Sequence, residues 1–211
     1  MAFIQCSFFS EVLRLSTSMT VILPEQTQAQ IGLENNQRAG KHPTLYLLHG
    51  LSDDNTIWTR RTSIERYAAE YGIAVVMPQA DHSFYSNMKY GKNYWTFLTE
   101  ELPQKARAFF PLSDKREDNF VAGLSMGGYG AFKWALNFPE KFAAAASLSG
   151  AVEIVGHVQR MREANSGQGL DLNQPLSLVF GEDDIAETEN DLLWLLNKVD
   201  KSDQEKPILY Q

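Results

Sequence analysis

The stretch Ala122-Gly123-Leu124-Ser125-Met126-Gly127 decides how this chain is read. A short apolar run, Asn119-Phe120-Val121, comes before it, and a helix-like run, Tyr129-Gly130-Ala131-Phe132-Lys133-Trp134-Ala135-Leu136, comes after. The order is strand, tight turn, helix. Gly123 to Gly127 fits the pattern G-x-S-x-G. A serine on so sharp a turn has a strained backbone, and side chains two residues to either side would collide, so glycine stands at both places. The hydroxyl is left clear above the first turn of a helix, where free N–H groups and the helix dipole favour negative charge. Ser125 is therefore the candidate nucleophile, against the alternative of a plain Gly/Ser turn in an α/β sheet.

Working outward, the apolar runs alternate with helical patterns. Thr44-Leu45-Tyr46-Leu47-Leu48, Ile73-Ala74-Val75-Val76-Met77 and Ala143-Ala144-Ala145-Ala146-Ser147-Leu148 read as strands covered on both faces. A helix is expected from Trp58 to Tyr71, ended by Gly72, and another over 94–110, where Pro103 should kink it or start a new turn. This alternation predicts an α/β fold, with a mostly parallel sheet and helices on both faces. The first residues are β-rich in three runs, Phe3–Phe8, Glu11–Leu15 and Met19–Pro24, expected as antiparallel strands beside that sheet. Residues 25–43 read as a surface loop. Residues 151–200 break the rhythm and read as an insertion over the carboxyl edge of one domain, 1–211. Lys206-Pro207-Ile208-Leu209-Tyr210 begins another strand.

Composition narrows the function. Of 211 residues, 44% are hydrophobic and 21% charged, which is ordinary for a globular domain. The net charge of −7, with no basic run, argues against nucleic acid as a partner. No stretch is apolar enough for a membrane span, and the start lacks a signal-peptide pattern. One cysteine, Cys6, excludes an internal disulfide, and one Cys with four His is too few for a zinc cluster. The expectation is a cytoplasmic enzyme with no metal and no cofactor, working on a small molecule without nucleic acid or membrane as partner; a homo-oligomer stays open.

A serine hydroxyl needs a histidine base, the base needs an orienting carboxylate, and the tetrahedral intermediate needs donors for its oxyanion. One donor is the N–H after the serine, on Met126; the other comes from the loop after the third strand, His49-Gly50-Leu51, which nominates Leu51. His49 reads as a buttress of that loop in preference to the base.

Leu47-Leu48-His49-Gly50, Gly123-Leu124-Ser125-Met126-Gly127-Gly128-Tyr129-Gly130-Ala131 and Ser147-Leu148-Ser149-Gly150 resemble the esterase D / S-formylglutathione hydrolase family. Val76-Met77-Pro78, Phe84-Tyr85-Ser86-Asn87-Met88 and Glu100-Glu101-Leu102-Pro103 are similar to its bacterial tributyrin-esterase, or acetyl-esterase, branch. Where the formylglutathione branch carries Leu-Thr-Cys after the oxyanion glycine, this chain has Leu51-Ser52-Asp53, which favours the short-acyl branch. The resemblance implies an α/β-hydrolase fold and a serine carboxylesterase for short-chain acyl esters. S-formylglutathione hydrolase or another thioesterase is the alternative within the same chemistry. It also implies that the loop 79–93 borders the active site. That makes His82 a candidate for the acyl or alcohol pocket. Gly50 lets the oxyanion loop approach the substrate, with His49 beside it, and Trp58, Tyr85, Tyr94 and Trp95 are further substrate-side candidates for which core packing is the commoner role.

The family orders its triad Ser, Asp, His, with the Asp after the seventh strand and the His after the eighth. His42, His49, His82 and His157 all precede Lys206. On this reading the chain is truncated at its C-terminal end, without the last strand, the last helix and the triad Asp and His. The in-chain alternative reads Ser177–Phe180 as a strand leading to Asp183 or Asp184 as the acid, with His157 as base. If 211 residues were the native length, the competing class is a catalytically inactive binding protein of this fold.

Overall fold

The computed structural model describes residues 1–25, 40–165, 171 and 173–211. Seven strands form one sheet in the order β1-β2-β4-β3-β5-β6-β7. The strands are β1 Ala2–Ser10, β2 Leu15–Leu23, β3 Thr44–Leu48, β4 Ala74–Pro78, β5 Asn119–Leu124, β6 Ala144–Leu148 and β7 Ile208–Tyr210. β4, β3, β5, β6 and β7 run parallel, while β1 and β2 form an antiparallel hairpin joined to β4. The apolar runs at the centre are buried on both faces because helices cover both. Their alternation divides the core. Tyr46, Leu48, Val76, Val121 and Ala145 face one cluster; Leu47, Val75 and Met77 face another with Ala68 and Ala69.

The smaller cluster is closed by α1 Ile57–Arg61 and α2 Ile64–Tyr71. One helix was expected here, and two are found. Thr62 is extended, its hydroxyl donates back to the Trp58 carbonyl, and its Oγ1 accepts the Ile64 N–H, so a single side chain ends one helix and caps the next. Gly72 ends α2 in the left-handed conformation, as the glycine suggests.

The larger cluster lies under α3 Tyr94–Thr96, a π-helical segment Phe97–Glu101, α4 Leu102–Phe109 and α5 Met126–Asn137. Pro103 sits in the first turn of α4. Its missing N–H and its ring would both disturb a continuous α-helix, and the widened π segment takes up the mismatch. That segment also turns Glu101 inward, where its carboxylate accepts from the Ser10 hydroxyl, the Glu11 N–H (2.8 Å) and the Val12 N–H (3.4 Å). Ser10 ends β1, and Glu11 and Val12 begin the link to β2. Of the expected third strand Glu11–Leu15, residues 11–14 are that link, a turn, and Leu15 opens β2. The run looks apolar because Leu13 plugs the core with no exposed surface.

Between β6 and β7 stand α6 Ile154–Ala164, α7 Pro175–Phe180 and α8 Leu192–Asp200. Ser177–Phe180, read as a strand leading to an acidic loop, is helical, and Pro175 in the first turn favours that start. The expected loop 25–43 falls almost wholly outside the described residues. The outer strand β7 keeps Ile208 74% and Tyr210 67% exposed, so the α2 side of the sheet is bare at that edge among the described residues.

Glu101→Ala should strip three donors of their charged acceptor. The expected loss is about 2 kcal/mol, seen as a lower urea midpoint at unchanged slope; Glu101→Gln should lose less.

Candidate active site

β5 ends at Leu124 and α5 starts at Met126, leaving Ser125 alone at the bend with φ 56° and ψ −115°. A non-glycine residue there costs on the order of 1–3 kcal/mol and persists only if its surroundings impose it. They do. The Ser125 N–H donates to the Leu148 carbonyl at 2.8 Å, tying the bend to the end of β6. A Cβ on Gly123 would lie 2.2 Å from the Gly127 carbonyl, and one on Gly127 would lie 2.3 Å from the Leu48 carbonyl oxygen. The two glycines let the helix start pass against the strand it leaves and against the end of β3. Ser125 is exposed at the carboxyl ends of the parallel strands, and its hydroxyl has no hydrogen-bond partner among the described residues.

The β3 loop stands next to it. A Cβ on Gly50 would be 3.9 Å from the Ser125 Cβ. Neither the Leu51 N–H nor the Met126 N–H bonds a described residue. Backbone donors without partners beside an exposed serine hydroxyl suit an oxyanion.

The Esterase family model matches residues 10–206. The chain belongs to that family. It is 34% identical over 160 residues to the acetyl esterase of Caldicellulosiruptor saccharolyticus, a match that covers 73% of this chain and 58% of the relative. It therefore spans just over half the length of that curated protein. Among solved structures, the fluorophosphonate-binding serine hydrolase FphF of Staphylococcus aureus, substrate bound, superposes with TM-score 0.79 at 39% identity, over 99% of this chain and 77% of that one. The S-formylglutathione hydrolase FrmB of the same organism gives 0.78 and 38%, with the same coverage. The mostly parallel sheet of this chain is the α/β-hydrolase fold of these neighbours.

Several side chains expected on the substrate side turn out to be struts of the scaffold. His49 is 1% exposed. Its Nε2 accepts the Ala80 N–H at 3.0 Å, which leaves the proton on Nδ1 to donate to the Gly50 carbonyl at 2.7 Å. Burial holds its pKa below the usual histidine value, so the ring stays neutral with both nitrogens engaged. It buttresses the loop and has no free nitrogen for substrate or for Ser125. Trp58 packs into the smaller cluster and donates its indole N–H to the Leu48 carbonyl at 3.1 Å. Tyr94 is buried and donates to the Asp81 carboxylate in a short hydrogen bond. Tyr85 has no exposed surface; it donates to the His49 carbonyl at 2.9 Å. His82 is exposed and does not line the cleft described next.

A cleft of about 400 Å³ opens beside the β3 loop. Leu51, Phe84, Met161 and Leu176 supply its apolar surface, and His157 and Arg160 of α6 also line it. The pair of His157 with an acid of the 183–184 loop is not formed. Asp183 bridges Lys89 at 2.8 Å, and Asp184 accepts the Ala186 N–H. Among the described residues no group of His, Cys, Asp and Glu is arranged to hold a metal, and no helix is long and apolar enough to cross a membrane.

Sequence reasoning missed Lys133, which has no exposed surface. The signal was available, since it is the one charge in the run Ala131-Phe132-Lys133-Trp134-Ala135-Leu136. Burial lowers its pKa to about 7, against a smaller opposing effect of the Glu189 carboxylate.

Gly127→Ala should prevent the helix start from seating on β3, with loss of the native melting transition by circular dichroism. Lys133→Met should remove a pH dependence. Between pH 7 and about 10 the unfolded lysine binds a proton that the folded one has lost, so wild-type stability rises with pH through that window. The thermal midpoint of the wild type should climb relative to Lys133→Met across it.

Proposed function

We propose that this chain carries the nucleophile and oxyanion site of a serine carboxylesterase for short-chain acyl esters. Ser125 Oγ attacks the acyl carbon, the Leu51 and Met126 N–H groups receive the oxyanion, the alcohol leaves, and water releases the acid from the acyl-enzyme. The observation that carries the reading is Ser125 at φ 56°, exposed and beside Gly50, with the following N–H of Met126 and the Leu51 N–H of the neighbouring loop both unpartnered among the described residues. Membership of the Esterase family and the 34% identity to an acetyl esterase support it. The apolar cleft against Leu51 is the place for the acyl group on this reading. The Ser125 proton goes to a histidine and from there to the leaving alcohol. His49 is engaged at both nitrogens, and neither His42, His82 nor His157 bonds the Ser125 hydroxyl. The proposal therefore places the Asp–His pair outside residues 1–211. A small-molecule ester substrate, a homo-oligomer left open and a cytoplasmic location belong to the same proposal.

The likeness to the S-formylglutathione hydrolase FrmB favours a thioester as a second substrate for the same serine. The chemistry is shared, and the leaving group alone differs.

The 211-residue chain should hydrolyse p-nitrophenyl acetate close to background. A protein of the relatives' full length that contains these residues should do so at ordinary enzyme rates, and Ser125→Ala should lower that rate by about four orders of magnitude or more. Comparing p-nitrophenyl acetate with a formyl thioester separates the two substrates. Full activity in the Ser125→Ala protein would sink the proposal. Ordinary rates from the 211-residue chain would put the base among His42, His82 and His157, to be found by single alanine substitutions.

A further inference from the structure

Lys133 is the one charged side chain on the buried part of α5, and no described carboxylate lies within ion-pair distance of it. Its ammonium donates to the Ser86 hydroxyl at 2.8 Å and to the Tyr85 carbonyl at 3.1 Å, and it lies 4.2 Å above the Trp95 ring. A lone buried ammonium is costly, and replacing it with an apolar residue of similar size is often neutral or stabilising. Stability is thus a poor reason for a lysine here, and its two acceptors point to another.

Both acceptors belong to the loop after β4, in its most strained part. Phe84 and Tyr85 have φ of 48° and 49°. Two successive aromatic residues in the left-handed region have no local cause, because each Cβ crowds its own backbone there. The pair has to be held from outside. Tyr85 is held at its N–H by the Ser83 hydroxyl (3.1 Å), at its carbonyl by Lys133, and at its hydroxyl by the His49 carbonyl (2.9 Å). Its ring lies against α5, where a Cβ on Gly130 would come within 2.4 Å of it. Phe84 meanwhile forms part of the cleft that Leu51 also lines. One clamp therefore bears on two parts of the site. Through Phe84 it sets a wall of the cleft. Through Tyr85 and the His49 carbonyl it reaches the residue before Gly50 and Leu51, the loop beside Ser125.

We infer that Lys133 is a positioning residue for this site, holding the Phe84–Tyr85 pair in its left-handed conformation and, through Tyr85, fixing where the Gly50–Leu51 loop stands. The inference rests on the proposed esterase reading for its effect on rate. Its effect on the loop is independent of that reading.

The test has two arms. In the 211-residue chain, Lys133→Met is measured by amide hydrogen exchange and thermal melting. Exchange at Ala80, Tyr85 and Ser86 should quicken at least tenfold, β5 amides should not change, and the melting midpoint should stay or rise at pH 6. A global loss of protection, or an unchanged loop, overturns the inference. If Lys133→Met does not fold, Ser86→Ala removes one acceptor and leaves α5 intact; it should quicken the same amides, and no change in them overturns the inference. The second arm uses the full-length esterase and p-nitrophenyl acetate. Lys133→Met and Tyr85→Phe should each lower kcat about tenfold with KM altered less than threefold. The double variant should be no worse than either single, because both act through one loop. Losses that multiply in the double variant, or an unchanged kcat in Lys133→Met, overturn it. Ser125→Ala run alongside isolates the other reading: hydrolysis that survives it defeats the esterase proposal while the exchange result stands.

Discussion

The site depends on how closely the first turn of α5 approaches the end of β3. Only hydrogen at the Gly127 α-carbon fits against the Leu48 and His49 carbonyls, and only hydrogen at Gly123 lets the strand pass under that turn. With the helix start pinned there, the chain has a single residue in which to reverse from strand to helix. Ser125 absorbs the reversal in a conformation that L-residues avoid, and the bond to Leu148 ties the result to β6. The exposed hydroxyl, its height above the parallel strands and the unpartnered N–H of Met126 all follow from this close contact.

The second constraint is that loops at the carboxyl edge must stay put without regular structure. Here polar side chains do that work, bonded to backbone or to one another. Asp81 takes Tyr94, His49 joins the β3 loop to Ala80, Tyr85 returns to His49, and Lys133 holds Tyr85 and Ser86. Such networks specify one arrangement when every member is bonded. The loop 79–93 thereby becomes a joint between the β3 loop, α5 and the helices between β6 and β7, since the Lys89 and Tyr90 N–H groups bond the Val179 and Leu178 carbonyls at the end of α7. The cleft forms where these parts meet, with α6 as its far wall.

On the proposed reading these features divide the labour of acyl transfer in space, the elbow and the β3 loop holding the reacting carbonyl and the cleft beside Leu51 holding what is attached to it. Acid–base work is a separate matter, and none of the four histidines is bonded to Ser125 among the described residues.

The amino-acid sequence by itself determined, to within a residue or so at each end, the strands read at 44–48, 73–77, 119–123 and 143–149, their parallel direction, the bend at Ser125 and the loop that meets it. Those features are written in local patterns: apolar runs long enough for one strand, helical periodicity between them, and glycines where backbone must touch backbone. It misjudged features whose cause is remote. Glu11–Leu15 looks like a strand because Leu13 is apolar, yet Leu13 is apolar to plug the core from a turn that Glu101 caps from 90 residues away. For His49, Trp58 and Tyr94 the sequence left a supporting role and a pocket role side by side, and their hydrogen bonds to Ala80 and Gly50, to Leu48 and to Asp81 give each a supporting one. Tertiary structure alone decided the left-handed Phe84–Tyr85 pair and the burial of Lys133. The partners that hold them lie far along the chain, and no local pattern encodes a conformation that only those partners stabilise.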